Sequence, residues 1–227
     1  MRVFCPLVAC ASAEKRDKLL GLLKEIAEVT LASEPRTLAY GWFTSAGGND
    51  GIASNCVRGF EVYEDEDAHL QIHRSSDPYK AMRKAMVEDD ILTEPLVLDI
   101  LQPCEVGFMS REKGCVFQGR RGSQVITILE YSPLQEQRAD LLQALRQVAS
   151  HALSYEQHGT LSFWVLEHAA KQDNQDVVVF GRFTDDAAYH AHRSSALVSG
   201  LQSIEESLLH PPRITHWLEG GIGYMNR

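Results

Sequence analysis

From Val3 to Cys10 the chain is apolar and partly β-branched, the pattern of a short strand buried on both faces. At Ser12 the spacing turns helical. Leu19, Leu23 and Ile26 form one stripe with Leu20, Ala27 and Leu31 beside it, while Lys15, Arg16, Lys18, Lys24 and Glu25 fall on the outer face. Ser12 stands where an N-cap is needed, Glu14 complements the helix dipole, and Pro35 closes the segment. Thr37 to Thr44 then alternates, with Leu38, Tyr40, Trp42 and Thr44 on one face, and Val57 to Tyr63 pairs back against it across a Gly-Gly-Asn-Asp-Gly loop. The stretch that follows, EVYEDEDAHLQIHRSS, leads from strand into helix. Asp65 is placed to cap, and Glu66 and Asp67 lie where a helix N-terminus favours negative charge. Asp77-Pro78 restarts a helix in the order cap then proline. After Pro95, Leu96 to Leu101 is extended, and the segment ends in Val106-Gly-Phe-Met-Ser-Arg111.

The same series then runs again. Val125 to Tyr131 matches the first strand, Leu141, Leu142, Leu145 and Val148 match the helix stripe, and TLSFWVLE from Thr160 echoes TLAYGWFT from Thr37. Val177 to Phe183 is the third strand, Thr184 takes the cap position, and GRFTDDAAYHAHRSS answers the earlier motif. Arg213 to Leu218 is a closing strand, and the chain finishes in Ile222-Gly-Tyr-Met-Asn-Arg227. The repeats occupy residues 1–111 and 124–227, joined by a Gly-containing polar linker at 112–123.

Each copy reads β-α-β-β-α-β with a broken second helix, the ferredoxin-like arrangement. Such a sheet carries its helices on one face and leaves the other bare. The expected fold is therefore α+β: two ferredoxin-like repeats whose antiparallel sheets pack as an intramolecular, pseudo-dimeric α+β barrel.

Charge narrows the partners. A net charge of −9 disfavours nucleic-acid backbones and anionic membrane surfaces, since the one short basic cluster is Arg120-Arg121 in the linker. The five cysteines form no CxxC pair and read as reduced thiols of a cytoplasmic protein. The N-terminal run imitates a secretory signal, but Pro6 interrupts it and the second copy repeats it as a strand. No stretch is long and apolar enough for a membrane helix.

The Glu61-x-Tyr63 strand end and the helix Asp67-Ala68-His69-Leu70-x-x-His73-x-x-Ser76, with the elements around them, resemble the dimeric α+β barrel proteins of the antibiotic biosynthesis monooxygenase type. The resemblance covers nearly the whole chain as two copies. It implies a small cavity between helices and sheet in each half, which in the family's enzymes holds a hydrophobic aromatic substrate, often in secondary metabolism. It implies no cofactor. A homodimer of the tandem chain is one assembly open to it.

His73 and His192 share the motif position before Arg-Ser-Ser and are the first candidates for a general base, with His69 one turn earlier. The bland reading stands beside this: a helix histidine kept in both copies also serves as a hydrogen-bonded packing residue. His69 and His73 have the spacing of a metal half-site, but no HExxH is present and Ala188 stands opposite His69 in the second copy. Tyr40, Trp42, Tyr63, Trp164 and Tyr189 are candidate walls for a flat substrate, and Arg58 and Arg182 candidate anion partners. Trp42 is five residues beyond Thr37 and Trp164 four beyond Thr160, so the tryptophans face opposite sides and the cavities should be unequal. Two further readings remain: cyclisation, dehydration or isomerisation without oxygen in the same cavity, and non-catalytic binding of a small molecule.

Overall fold

The computed structural model describes residues 1–119, 124–169, 175–208 and 210–227. Arg120-Arg121 lies outside them. The ferredoxin-like order is present twice: β1 (Arg2–Ala9), α1 (Ala13–Ser33), β2 (Thr37–Ser45), β3 (Cys56–Tyr63), α2 (Asp77–Glu88) and β4 (Val97–Phe108), then, after a two-residue β5 (Cys115–Val116), β6 (Val125–Tyr131), α3 (Arg138–Tyr155), β7 (Thr160–His168), β8 (Val177–Phe183), three short helices and β9 (Arg213–Met225). The short helices are α4 (Asp186–Arg193), α5 (Ala196–Gly200) and α6 (Gln202–Glu205). No helix among the described residues is long and apolar enough to cross a membrane.

The chain forms two compact units that do not follow the sequence repeats end to end. One comprises Met1–Ile100, Glu112 to Gly119 and Trp217–Arg227; the other takes Leu101–Arg111 and, of the described residues, Gln124 to His216. Each unit is thus completed by the end of the other repeat's closing strand. In the first unit β9 pairs with β2 from Tyr40↔Tyr224 to Ser45↔Trp217, and in the second β4 pairs with β7 from Leu101↔His168 to Phe108↔Phe163. Both pairings carry a bulge, and each has a glycine beside it. At Gly107 (φ 85°) a Cβ would lie 1.9 Å from the Phe163 carbonyl oxygen, and at Gly223 (φ 105°) 1.7 Å from that of Tyr40. The bulge in β4 lies between its extended start and the Val106 segment, so these two pieces are one strand.

Both closing segments end in the same device. Arg227 donates to the carbonyls of Thr30, Leu31 and Glu34, the last turn of α1, and Arg111 donates to those of Ala152, Leu153 and Glu156 at the end of α3. Thr30 and Ala152 also accept the N–H of their C-cap residues, Glu34 and Glu156, so the guanidinium adds a second donor at the helix end while complementing the negative dipole end.

Helix stripes and caps follow the sequence with two corrections. Leu19, Leu23 and Ile26 of α1 are buried, as are Leu141, Leu145 and Val148 of α3, each side chain contributing about 1.5–3 kcal/mol of burial. Ser12 caps α1 through Lys15 N. The cap of α2 is Ser76 rather than Asp77, because Ser76 is the last extended residue (φ −64°, ψ 146°) and its hydroxyl accepts from Tyr79 N. The cap of α4 is Asp185 rather than Thr184, its carboxylate accepting from Ala188 N at 2.8 Å.

Candidate functional site

Period-two alternation decides which side chains the first sheet turns toward its helices. Phe4 faces Glu61 across β1 and β3, Tyr40 and Trp42 pair with Glu61 and Gly59 across β2 and β3, and all these positions share a face. Gly59 is small for a reason. A Cβ there would come within 2.6 Å of Pro6 Cγ and 3.0 Å of the Trp42 ring, so the glycine lets the indole lie across the strand.

Between this face and the helices lies a cavity of about 220 Å³. Phe4, Pro6 and Val8 of β1, Leu19 and Leu23 of α1, Trp42, and Tyr79, Met82 and Met86 of α2 form its apolar wall, with Leu96 and Leu98 near the start of β4. Four polar side chains join them: Glu61, His69, Arg74 and Arg83. A cavity of roughly 150 Å³ accommodates benzene, so this one suits a ligand of one or two fused rings.

His69 reaches the cavity through an irregular helix. In the first repeat Ala68–Ile72 is a π-helical turn followed by a 3₁₀ turn, His73–Ser75, whereas α4 is a regular α-helix. The interval from capping aspartate (Asp65, Asp185) to histidine (His73, His192) is one residue longer in the first copy, and the wide turn absorbs that residue. Counted from the cap, the partner of His69 is Tyr189 rather than Ala188. Ring contacts agree, since His69 packs on Tyr63 at 4.9 Å and Tyr189 on the equivalent Phe183 at 5.4 Å.

Burial, with His73 and Arg74 beside it, brings the His69 imidazole down to about 4, so it is neutral at pH 7. Burial also pushes the Glu61 carboxyl above its usual range, partly offset by His73 and by the Tyr63 hydroxyl, which donates to Glu61 Oε2 at 2.8 Å. Burial, with Glu61 beside it, pushes the Tyr40 phenol well above its usual range, and the buried Trp42 indole N–H makes no hydrogen bond of normal geometry.

His73 is placed differently. It is 1% exposed, ringed by Tyr40, Tyr63 and Tyr79 at 5.2–5.4 Å, and absent from the cavity wall. Its Nδ1 meets Glu34 Oε2 at 3.0 Å, and that oxygen also accepts from Thr37 Oγ1. The second repeat builds the same trio. His192 Nδ1 meets Glu156 Oε2 at 2.8 Å, and Thr160 donates to that oxygen. In both copies the carboxylate is the helix C-cap and the threonine opens the next strand, so the trio joins the end of one element to the start of the next.

The second cavity is nearly filled. At the equivalent place only about 30 Å³ remains, bounded by Phe163, Val179, Phe183, Tyr189 and His192 among others. Register explains why. Val8 faces Val57 and Tyr131 faces Val177, which makes Tyr131 the counterpart of Val8. Tyr131 is fully buried and donates to Glu205, which by its spacing from Ser195 stands where Met86 stands after Ser76. Trp164 pairs with Phe180, on the face away from Phe163, and does not line this cavity.

The two arginines chosen from sequence lie outside both cavities. Arg58 is buried against Asp99 (2.9 Å) and Cys5 (3.2 Å), and Arg182 lies within 3.5 Å of Ser162 and Gln124. Among the described residues no cluster of three or more His, Cys, Asp or Glu is arranged to hold a metal. Glu61, noted in the sequence only as part of the Glu61-x-Tyr63 strand end, and Arg74, Arg83, Glu34 and Glu156 were not among the site residues expected from sequence. For Glu61 a signal existed: together with Arg58 it is one of two charged residues in the strand CVRGFEVY, all of it buried.

The model of the antibiotic biosynthesis monooxygenase family matches residues 10–85 and again 124–202, and the chain belongs to that family, whose domain it carries twice. Solved structures of similar fold include a candidate monooxygenase from Fusobacterium nucleatum (TM-score 0.77, 13% identity, 100% of this chain and 98% of that one). Another, from Lactobacillus acidophilus, has TM-score 0.73 and 11% identity over 99% and 98% of the two chains. An anthrone oxidase-like protein has TM-score 0.60 and 13% identity over 96% and 90%. No curated protein matches the chain.

Proposed function

We propose that the chain is a cofactor-independent monooxygenase that oxidises a small aromatic or polyketide-derived molecule in the cavity of the first repeat, with His69 as general base. The observation that carries this reading is a mostly apolar cavity of about 220 Å³ with one neutral imidazole on its wall, in a chain of this family. His69 takes a proton from an acidified ring carbon or hydroxyl. The resulting electron-rich anion reduces O2. For a ring methylene the sum is CH2 + O2 → C=O + H2O, with one oxygen atom retained and the other leaving as water. Imidazolium forms next to the new anion, which offsets part of the burial cost that keeps His69 neutral beforehand. His73, held by Glu34, positions the helix that carries His69.

Oxygen-electrode measurements with anthrone and hydroxynaphthalenes test the proposal. One O2 should be consumed per turnover, and His69→Ala should lower kcat by about 10²–10⁴-fold. Because the base must be unprotonated, the acid limb of kcat/KM should fall near pH 4 rather than 6.5. Full turnover by His69→Ala would end this assignment. A second reading draws on the presence of Glu61 in the same cavity: an acid and a base there could move a proton across a bound ligand without oxygen. Turnover under nitrogen would favour it. Binding without conversion of any probe would favour a carrier.

A further inference from the structure

We infer that the first-repeat cavity is built for an aromatic acid, a ring bearing both a hydroxyl and a carboxylate, and that Arg74 and Arg83 are the residues selecting the carboxylate. The inference rests on that cavity being the substrate site.

Its polar groups are sorted by depth. Glu61 is 8% exposed and bonded to Tyr63, so it lies at the inner end. Arg74, in the 3₁₀ turn, and Arg83, on α2, are exposed residues that also line the cavity, which places them at its mouth. Several other arginines of the fold are engaged, Arg36 with Glu64 and Asp65, Arg58 with Asp99, Arg138 with Glu167, and Arg111 and Arg227 with helix-end carbonyls. Among the described residues Arg74 and Arg83 make no such pair. Two cations beside an apolar cavity attract an anion, and a guanidinium fork matches the carboxylate plane.

The inner end asks for the opposite group. Burial raises the affinity of Glu61 for a proton, and its carboxylate accepts the Tyr63 O–H, so a ligand O–H can be accepted there while a ligand anion is repelled. Between the ends, Trp42, Met82 and Met86 supply flat and polarisable surface for the ring. A neutral hydrocarbon would leave both ends unmatched. The second repeat keeps an arginine, Arg193, at the place of Arg74 but has Gln202 where Arg83 stands and Gly181 where Glu61 stands, so the paired cations and the inner acid occur together only in the first, and the second cavity is the one that is filled.

Isothermal titration of the full chain with 3-hydroxy-2-naphthoate and 2-naphthol tests the inference. The acid should bind about tenfold more tightly than the naphthol, and the double variant Arg74→Gln/Arg83→Gln should bring that ratio close to one. Circular dichroism of the variant should match the parent, and single variants with intermediate ratios serve if it does not. Equal affinities in the parent, or a ratio that survives the double substitution, would overturn the assignment. Arginine-dependent binding without oxygen uptake would sink only the oxidation reading, and oxygen uptake with an unchanged ratio would sink only the carboxylate site.

Discussion

The two repeats keep the same histidine and differ in the space in front of it. His73 and His192 both hold the C-cap carboxylate of the preceding helix, Glu34 and Glu156, which in turn takes the threonine opening the next strand. A feature present in both copies, although only the first keeps space between its sheet face and helices, is explained by what both copies share, which is the fold; His192 and Glu156 border instead an open groove with His151 and Ser195. Function is better sought in what differs: Val8 against Tyr131, Met86 against Glu205, Glu61 against Gly181, and the π-helical turn that brings His69 to the wall.

Exchanging the filling residues should therefore exchange the cavities, and this carries the largest expected effect. Tyr131→Val with Glu205→Met should open the second cavity and cost about 3–5 kcal/mol, since a large buried side chain is removed. Val8→Tyr should close the first, abolishing binding of 2-naphthol at an overpacking cost of about 1–3 kcal/mol. Denaturant titration and calorimetric binding read both outcomes. Undiminished binding by Val8→Tyr would show that the ligand lies elsewhere.

Next in size is the shared trio. The Glu34–His73 pair is almost fully buried, at 4% and 1% side-chain exposure, whereas Glu156 is 16% exposed and also approaches His151 at 3.8 Å. Glu34→Ala should cost about 2–3 kcal/mol and Glu156→Ala about 1, because a histidine left unpartnered in the drier site loses more. Equal losses would contradict the difference in burial. A smaller effect is expected at the helix ends, where Arg227→Ala and Arg111→Ala should each cost about 1 kcal/mol by removing the charged donor from the last-turn carbonyls.

Periodicity made the elements legible. The Leu19–Leu23–Ile26 stripe, the alternation of TLAYGWFT and the echo of one repeat in the other give the ferredoxin-like order without coordinates. Phase also carried information: the one-residue offset of Trp42 and Trp164 places them on opposite faces; Trp42 lines the first-repeat cavity and Trp164 does not line its counterpart. What stayed hidden depends on contacts between distant segments. Tyr131 fills a space only because Glu205, on a helix far along the chain, receives its hydroxyl. Alignment through His73 and His192 put Ala188 opposite His69; counting from the capping aspartates puts Tyr189 there, and nothing local in the sequence says which end to count from. Nor does a helix histidine announce whether it faces a cavity, as His69 does, or a carboxylate in a packed seam, as His73 does.

The central claim is that one repeat binds and the other is filled. A crystal of the full chain soaked in 2-naphthol tests it most directly: the account predicts one ring per chain, against Trp42 and within reach of His69. A ring bound beside His192 in the second repeat, with the first cavity empty, would contradict it.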